Sequence, residues 1–403
     1  MDNIAKQSHK DRLGRGATKM MRMIIIFVFI TLTTGGSTSN DDPFMKTYGG
    51  SGPDRGVHII QAIDGNFIIV GNTMTEANKL DVYLIKCNSS GDTIWTRTFG
   101  GQEDDNGWCV KETSDNGYII AGFTESYDAS MNDVFLLKTD VNGRKEWHKT
   151  IGGSGDDIAW SIAINQDDGF TIAAQTNSFG NGELDAYLIR TDANGDTLWT
   201  RTFGGSGVDR VFSVDLADDG CIFLAGITYS YGAGDRDAYL LKTDQNGKLL
   251  WQNTYGGPGY DNAHAVIVNR TNDIILTGYG DYWGDAGKMD MFLMQISLEG
   301  EDIWTHTYGG KENDRAMTVF QLQNGGYILT GFTQSFGEGD WDAYIVKTGS
   351  KGDTIWTSTH GTAAPDFGYD IIQSRKGDYF VTGWSHGLGH PEGDLLLIKK
   401  VID

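Results

Sequence analysis

A threonine, then a bulky residue, then glycine, usually twice, recurs at Thr47, Thr98, Thr150, Thr202, Thr254, Thr307 and Thr359, at intervals of 51 to 53 residues. No other feature constrains the chain as much. A repeat of this length that nearly fills 403 residues is one supersecondary unit copied many times, and each copy must bury its apolar surface against its neighbours. Seven residues after each anchor stands an aspartate: Asp54, Asp105, Asp157, Asp209, Asp261, Asp314 and Asp366. Three residues before six of the anchors stands a tryptophan: Trp95, Trp147, Trp199, Trp251, Trp304 and Trp356. A second aspartate series, from Asp81 to Asp394, opens each DAYLIK-like run.

Within one period the sequence predicts four strands. In the copy that begins at Asp209 they are VFSVDLA, CIFLAGITYS, DAYLLKTD and LLWQNTYGG, separated by DDG, the loop YGAGDR and the hairpin signal QNG. Four strands of about six to eight residues and four short connections account for the whole period and leave no room for a helix. The first three runs are apolar on both faces, as a strand covered from both sides must be. The fourth alternates, with Leu198, Thr200 and Thr202 opposite Trp199, Arg201 and Phe203, the pattern of a wetter edge. Small sheets stacked on both faces and wet at one edge are propeller blades.

The first fragment, PFMKTYGG, is only a fourth strand, and the last, LLLIKKVID, stops at a third. A linear array needs capping repeats, whereas a ring needs its last blade completed by its first strand. The expected fold is therefore all-β: a seven-bladed β-propeller of four-stranded antiparallel blades over residues 44–403, closed by the N-terminal strand. Phe44 takes the tryptophan's place in that strand. The fourth strand should be outermost, the strand after each Gly-Gly should line the channel, and the Gly-Gly crossings should share one face with loops such as SFGNGEL.

Residues 1–37 read as a signal peptide, with Lys10, Arg12, Arg15, Lys19 and Arg22 ahead of the apolar run Met23 to Leu32, followed by small residues. Ten apolar residues are short for a bilayer span, so no membrane insertion is expected after cleavage. Residues 38–43 form a linker, and the protein is expected outside the cytoplasm, secreted, periplasmic or at the cell surface, as a monomer. Without the targeting segment, 26 basic residues face 52 acidic ones. Such a surface repels phosphate backbones and argues against nucleic acid as a partner. Cys87, Cys109 and Cys221 occupy three different places in the repeat, which suits buried thiols better than a disulfide framework.

The copies of DxNGxxxWxxTxGG, followed by D and then GGYIIAGxTxSxG, resemble secreted prokaryotic β-propeller repeat proteins. The Asn-Gly to Trp segment is similar to the tryptophan-docking strand of quinoprotein-like propellers. The resemblance covers residues 44 to 403 and implies architecture more than activity. Quinoprotein dehydrogenases would imply a quinone and calcium over the channel, but their two adjacent cysteines are absent here and the blades number seven rather than eight.

Two sets of residues are candidates for function. The seven aspartates after Gly-Gly could form a cation-binding ring, although recurrence once per blade favours backbone capping within each turn. The turns DANGD, DQNGK and DVNGR read as hairpins rather than calcium loops, so no metal site is assigned and no cofactor is expected, with calcium the one possibility left open. The variable loops between second and third strands carry Tyr127, Phe179, Tyr231, Trp283 and Phe336, rings that could stack on sugars or grip a peptide, or could cover the edge of their own blade. No catalytic motif stands out and the eight histidines are scattered. The expected function is a non-enzymatic binding or scaffold propeller for a protein partner or glycan on the Gly-Gly face. The alternatives are a quinone-dependent or polysaccharide-active enzyme over the channel, and a structural surface module.

Overall fold

The computed structural model describes residues 42–401 apart from residues 76, 78 and 284–287; the expected signal peptide and most of the linker lie outside the described residues. The described chain forms seven four-stranded antiparallel sheets and no helix. In the fourth blade β14 (Asp209–Leu216), β15 (Ile222–Thr228), β16 (Asp237–Thr243) and β17 (Leu249–Tyr255) pair in chain order, and the other blades repeat the arrangement. The inner strands are β2 (Asp54–Gln61), β6 (Asp105–Glu112), β10 (Asp157–Ile164), β14, β18 (Asp261–Val268), β22 (Asp314–Gln321) and β26 (Asp366–Gln373).

The seventh blade is built from both ends of the chain. β1 (Phe44–Tyr48) pairs antiparallel with β28 (Asp394–Lys400), Thr47 opposite Leu396, and is the outer strand of the sheet begun by β26. The ring is therefore closed as the sequence predicts. Each pair of neighbouring blades shares one apolar cluster, and the cluster between the seventh and first blades is as complete as the rest. There Phe380 stacks on Phe67 at 4.0 Å, with Leu395 and Leu397 fully buried beside them.

The outer-strand tryptophans dock across blades. Trp95, Trp147, Trp199 and Trp304 lie on Gly143, Gly195, Gly247 and Gly352, the glycines of the hairpin turn in the next blade, and Phe44 lies on Gly91 in the same way. Gly247 has φ +76°, and a Cβ there would come within 2.6 Å of the Trp199 ring. Asn-Gly thus serves twice, as a left-handed turn and as a flat landing for an indole. Trp251 adds a hydrogen bond, its Nε1 donating to the Leu298 carbonyl at 3.0 Å.

A second repeating device escaped the sequence reading. In four blades the cationic residue late in the third strand is buried and reaches the carboxylate of the first hairpin turn: Lys86 to Asp64 at 2.7 Å, Lys138 to Asp115 at 2.8 Å, Arg190 to Asp167 at 2.6 Å and Lys399 to Asp378 at 3.4 Å. Removing the carboxylate of such a pair would strand the buried cation in a low-dielectric place. The thiols are free, with Cys87 and Cys109 buried but Cys221 partly exposed, because it stands just before β15 beside an exposed turn.

Two outcomes are expected from this geometry. Trp199→Ala should cost about 3 kcal/mol in denaturant melts, the low end for an aromatic truncated in a core since the ring is half-buried. Gly247→Ala should also destabilise, and the double variant should cost clearly less than the sum, because both remove one contact. Deleting residues 44–50 should leave β28 with an open edge and give oligomers or aggregates in light scattering.

Candidate functional site

The crossing from blade to blade is organised by the inner-strand aspartates. Each carboxylate accepts the N–H of the residue four positions earlier: Gly50 to Asp54, Gly101 to Asp105 and Gly205 to Asp209 at 2.7 Å, Gly153 to Asp157, Gly257 to Asp261 and Gly310 to Asp314 at 2.8 Å, and Thr362 to Asp366 at 2.6 Å. All seven are buried. In four blades a serine of the following loop also donates to this carboxylate, for example Ser230 to Asp209 at 2.6 Å. The backbone N–H of the aspartate itself donates to the preceding blade's loop, as Asp209 does to Leu184 at 2.7 Å and Asp261 to Arg236 at 2.8 Å. These bonds put the Gly-Gly crossings and the second-to-third-strand loops on one face.

The two aspartate series meet around the first glycine of each crossing. At Gly100 the carboxylates of Asp81 and Asp105 flank the α-carbon, and Asp133 with Asp157 do the same at Gly152. Burial, and then the neighbouring Asp105 and Asp104, push the Asp81 carboxyl up to about 6. Asp133 is likewise raised by burial and by Asp157.

The five loop aromatics pack on the ring that opens their own third strand. Tyr127 lies 5.7 Å from Phe135, Phe179 5.6 Å from Tyr187, Tyr231 6.0 Å from Tyr239, Trp283 4.2 Å from Phe292 and Phe336 5.4 Å from Tyr344. Tyr127 and Tyr231 also donate their hydroxyls to the carbonyls of Gly100 and Gly204 at 2.7 and 2.9 Å. These rings brace the crossing, and Phe179, Tyr231 and Phe336 still show about two fifths of their surface.

Blades four and five depart from the others. Tyr229, Tyr231, Tyr260 and Tyr282 are 47%, 38%, 42% and 57% exposed, on two consecutive loops and the crossing between them. Asp281 accepts the Tyr260 N–H at 2.9 Å, the Tyr282 ring covers Gly257, and the Arg236 guanidinium lies over Tyr260 at 5.3 Å. Only Tyr231 was singled out from the sequence. The other three stand where other copies have unlike residues, Glu125 or Asn177 in place of Tyr229 and Asp104 or Val208 in place of Tyr260, and that disagreement was the available signal.

The seven inner strands enclose a channel cavity of about 600 Å³. Every inner strand carries a β-bulge after its third residue. The bulge residues, Val57, Trp108, Trp160, Phe212, His264, Met317 and Tyr369, all line the cavity. Four of them form a continuous aromatic run: Trp108 to Trp160 at 5.0 Å, Trp160 to Phe212 at 5.5 Å and Phe212 to His264 at 5.0 Å. Burial, with Arg315 and Arg236 nearby, holds His264 down at about 4 and therefore neutral. The next residue of each strand is His58, Cys109, Ser161, Ser213, Ala265, Thr318 or Asp370. The ring thus brings His58 and Asp370 of adjacent blades to 3.8 Å, residues some three hundred positions apart in sequence, and lines the same cavity with Cys109 of the next blade.

No family model matches this chain. It is 23% identical over 380 residues to the regulatory protein FlaEY of Caulobacter vibrioides, a match covering 79% of this chain and 39% of that protein. The chain therefore spans about two fifths of the length of that relative. Among solved structures, a puromycin hydrolase is similar with a TM-score of 0.54 at 11% identity, covering 83% of this chain and 51% of that one. BBS1N in complex with ARL6DN is similar with a TM-score of 0.50 at 11% identity, covering 90% and 96%. At these identities the likeness is one of fold.

Asp81 gives a direct test of the crossing's electrostatics. Its folded pKa of about 6 lies above the ordinary aspartate value of 3.8, so ionisation opposes folding at neutral pH and that penalty fades as pH falls through 6 towards 4. Asp81→Asn should raise the melting temperature at pH 7.5 and leave it nearly unchanged at pH 4, in paired thermal melts.

Proposed function

We propose that this protein is a non-enzymatic binding propeller, working outside the cytoplasm, that recognises a protein partner on the Gly-Gly face of blades four and five. The observation that carries the reading is the set of four exposed tyrosines there, on loops held by the crossing's hydrogen bonds. Tyrosine and arginine dominate the energetics of protein interfaces because they bring large area at low entropic cost. The face of Tyr260 is capped by Arg236, which leaves an edge and a hydroxyl to meet a peptide surface rather than a bare ring to stack on a sugar. The propeller BBS1N, similar in fold, was solved in complex with ARL6DN, and it supports a protein partner by analogy of fold.

The test is affinity capture from cell-envelope extracts with wild-type protein and with Tyr229→Ala/Tyr282→Ala, alongside a control in the outer strands, Ile94→Ala/Ile355→Ala. Loss of a hot-spot tyrosine costs roughly 2 kcal/mol, about thirty-fold in Kd. The tyrosine variant should lose the captured protein and the control should keep it. Equal capture by both, or binding on a glycan array that the tyrosine variant abolishes, would overturn the reading.

A further inference from the structure

Recognition on the Gly-Gly face leaves the channel unused. On one side its bulge residues form an aromatic wall, Trp108, Trp160 and Phe212 of blades two, three and four, with successive rings 5.0 and 5.5 Å apart. Three residues further along the same strands stand Lys111, Ala163 and Asp215, in one register opposite Ile119, Thr171 and Phe223 of their second strands. In the other four blades this position holds Ile60, Ile267, Phe320 and Ile372. The two charges of this layer are therefore confined to the strands that carry the aromatic wall, and both line the cavity. Three strand residues span about 10 Å, so the rings and the charges lie within reach of one small molecule.

Both charges keep capacity for a guest. Among the described residues no ion pair or hydrogen bond takes up the Lys111 ammonium, whereas Lys86 and Lys138, buried in third strands, are paired to carboxylates. Asp215 accepts the Val268 N–H at 2.8 Å through one oxygen and the Leu216 N–H at 2.9 Å through the other, and a carboxylate has room for about two further donors. Support of the next blade needs no charge, since Ser213 accepts the Val266 N–H at 3.1 Å in the same way. Burial raises the Asp215 carboxyl, and the two N–H donors and Lys111 oppose that shift without cancelling it, so a further cation beside it is stabilising. The other charged groups of the lining are engaged. Asp370 accepts the Ile59 and Ile371 N–H groups at 2.9 Å and stands 3.8 Å from His58 Nε2, and Arg375 donates to the Ile63 carbonyl at 2.9 Å. Between Lys111 and Asp215 in ring order stands Ala163, the smallest residue of its layer.

We propose that the channel binds a free aromatic α-amino acid, its ring against Trp108, Trp160 and Phe212, its carboxylate on Lys111 and its ammonium on Asp215. Complementarity selects this occupant. The wall takes a flat ring by offset or edge contacts, and a cation and an anion separated by one alanine match a molecule that carries both charges on one carbon. A purely apolar guest would desolvate Lys111 without a partner, and an anion alone would face Asp215. The cavity of about 600 Å³ falls within the range of small-molecule sites, about 300 to 1,000 Å³. This site shares no side chain with the tyrosine patch of blades four and five.

The probes are L-tryptophan and L-phenylalanine, titrated into the native full-length protein by calorimetry at neutral pH. Beside them stand tryptamine, which lacks the carboxylate, indole-3-propionate, which lacks the ammonium, and L-leucine, which lacks the ring. One site per chain is expected for the aromatic amino acids, with each of the three analogues about tenfold weaker or worse, for want of one charge-assisted bond or of the stacking surface. Lys111→Met should weaken L-tryptophan about tenfold and leave tryptamine unchanged. Asp215→Asn, which keeps an acceptor for the Val268 N–H, should weaken L-tryptophan to a similar extent and leave indole-3-propionate unchanged. Thermal melts confirm that each variant is folded. No saturation by either aromatic amino acid below about 10 mM, tryptamine or indole-3-propionate binding as tightly as L-tryptophan, or an L-tryptophan affinity unchanged in both folded variants would overturn the proposal.

Discussion

Every blade of this protein is apolar on both faces, so each must be covered from both sides, and only a closed ring covers all seven. That constraint dictates the rest. It explains why the seventh blade borrows β1 from the far end of the chain, why Phe380 meets Phe67 across the seam, and why Phe44 rests on Gly91 as the tryptophans rest on their glycines. The stability of any one blade is inseparable from that of its neighbours, and the seam is where the covalent chain gives no help.

Most of the architecture was legible because it repeats. The period gave the blade, the two-faced apolar runs gave the stacking, and the split between PFMKTYGG and LLLIKKVID gave the closure. The recurring aspartate could be read as a turn cap or as a cation ring, and the geometry directs each carboxylate to the N–H of its own crossing. The buried lysines were overlooked because a charged residue late in an apolar strand reads as an edge. It is satisfied only by a turn carboxylate more than twenty positions away in sequence, as in Lys86 with Asp64.

The sites were harder to see for a physical reason. A ring converts separations of some fifty residues into side-by-side contact, so Trp108, Trp160 and Phe212 become neighbours although each looks like ordinary variation within its own copy. The same holds for Tyr229, Tyr260 and Tyr282, three separate deviations that share one face only once the loops are folded over the crossings. Residues that agree between copies hold the joints, and those that disagree give the ring its sidedness. The face carries an exposed aromatic patch and the channel a continuous aromatic wall, on one scaffold and with no shared side chain.

Hydrogen exchange at the amides of β1 tests the closure most directly, because those groups are protected only if the strand is paired with β28. The account predicts that residues 44–48 exchange as slowly as the outer strand β17 of an internal blade. Exchange of that segment at the rate of an unstructured tail, with β28 unprotected on its outer edge, would contradict it.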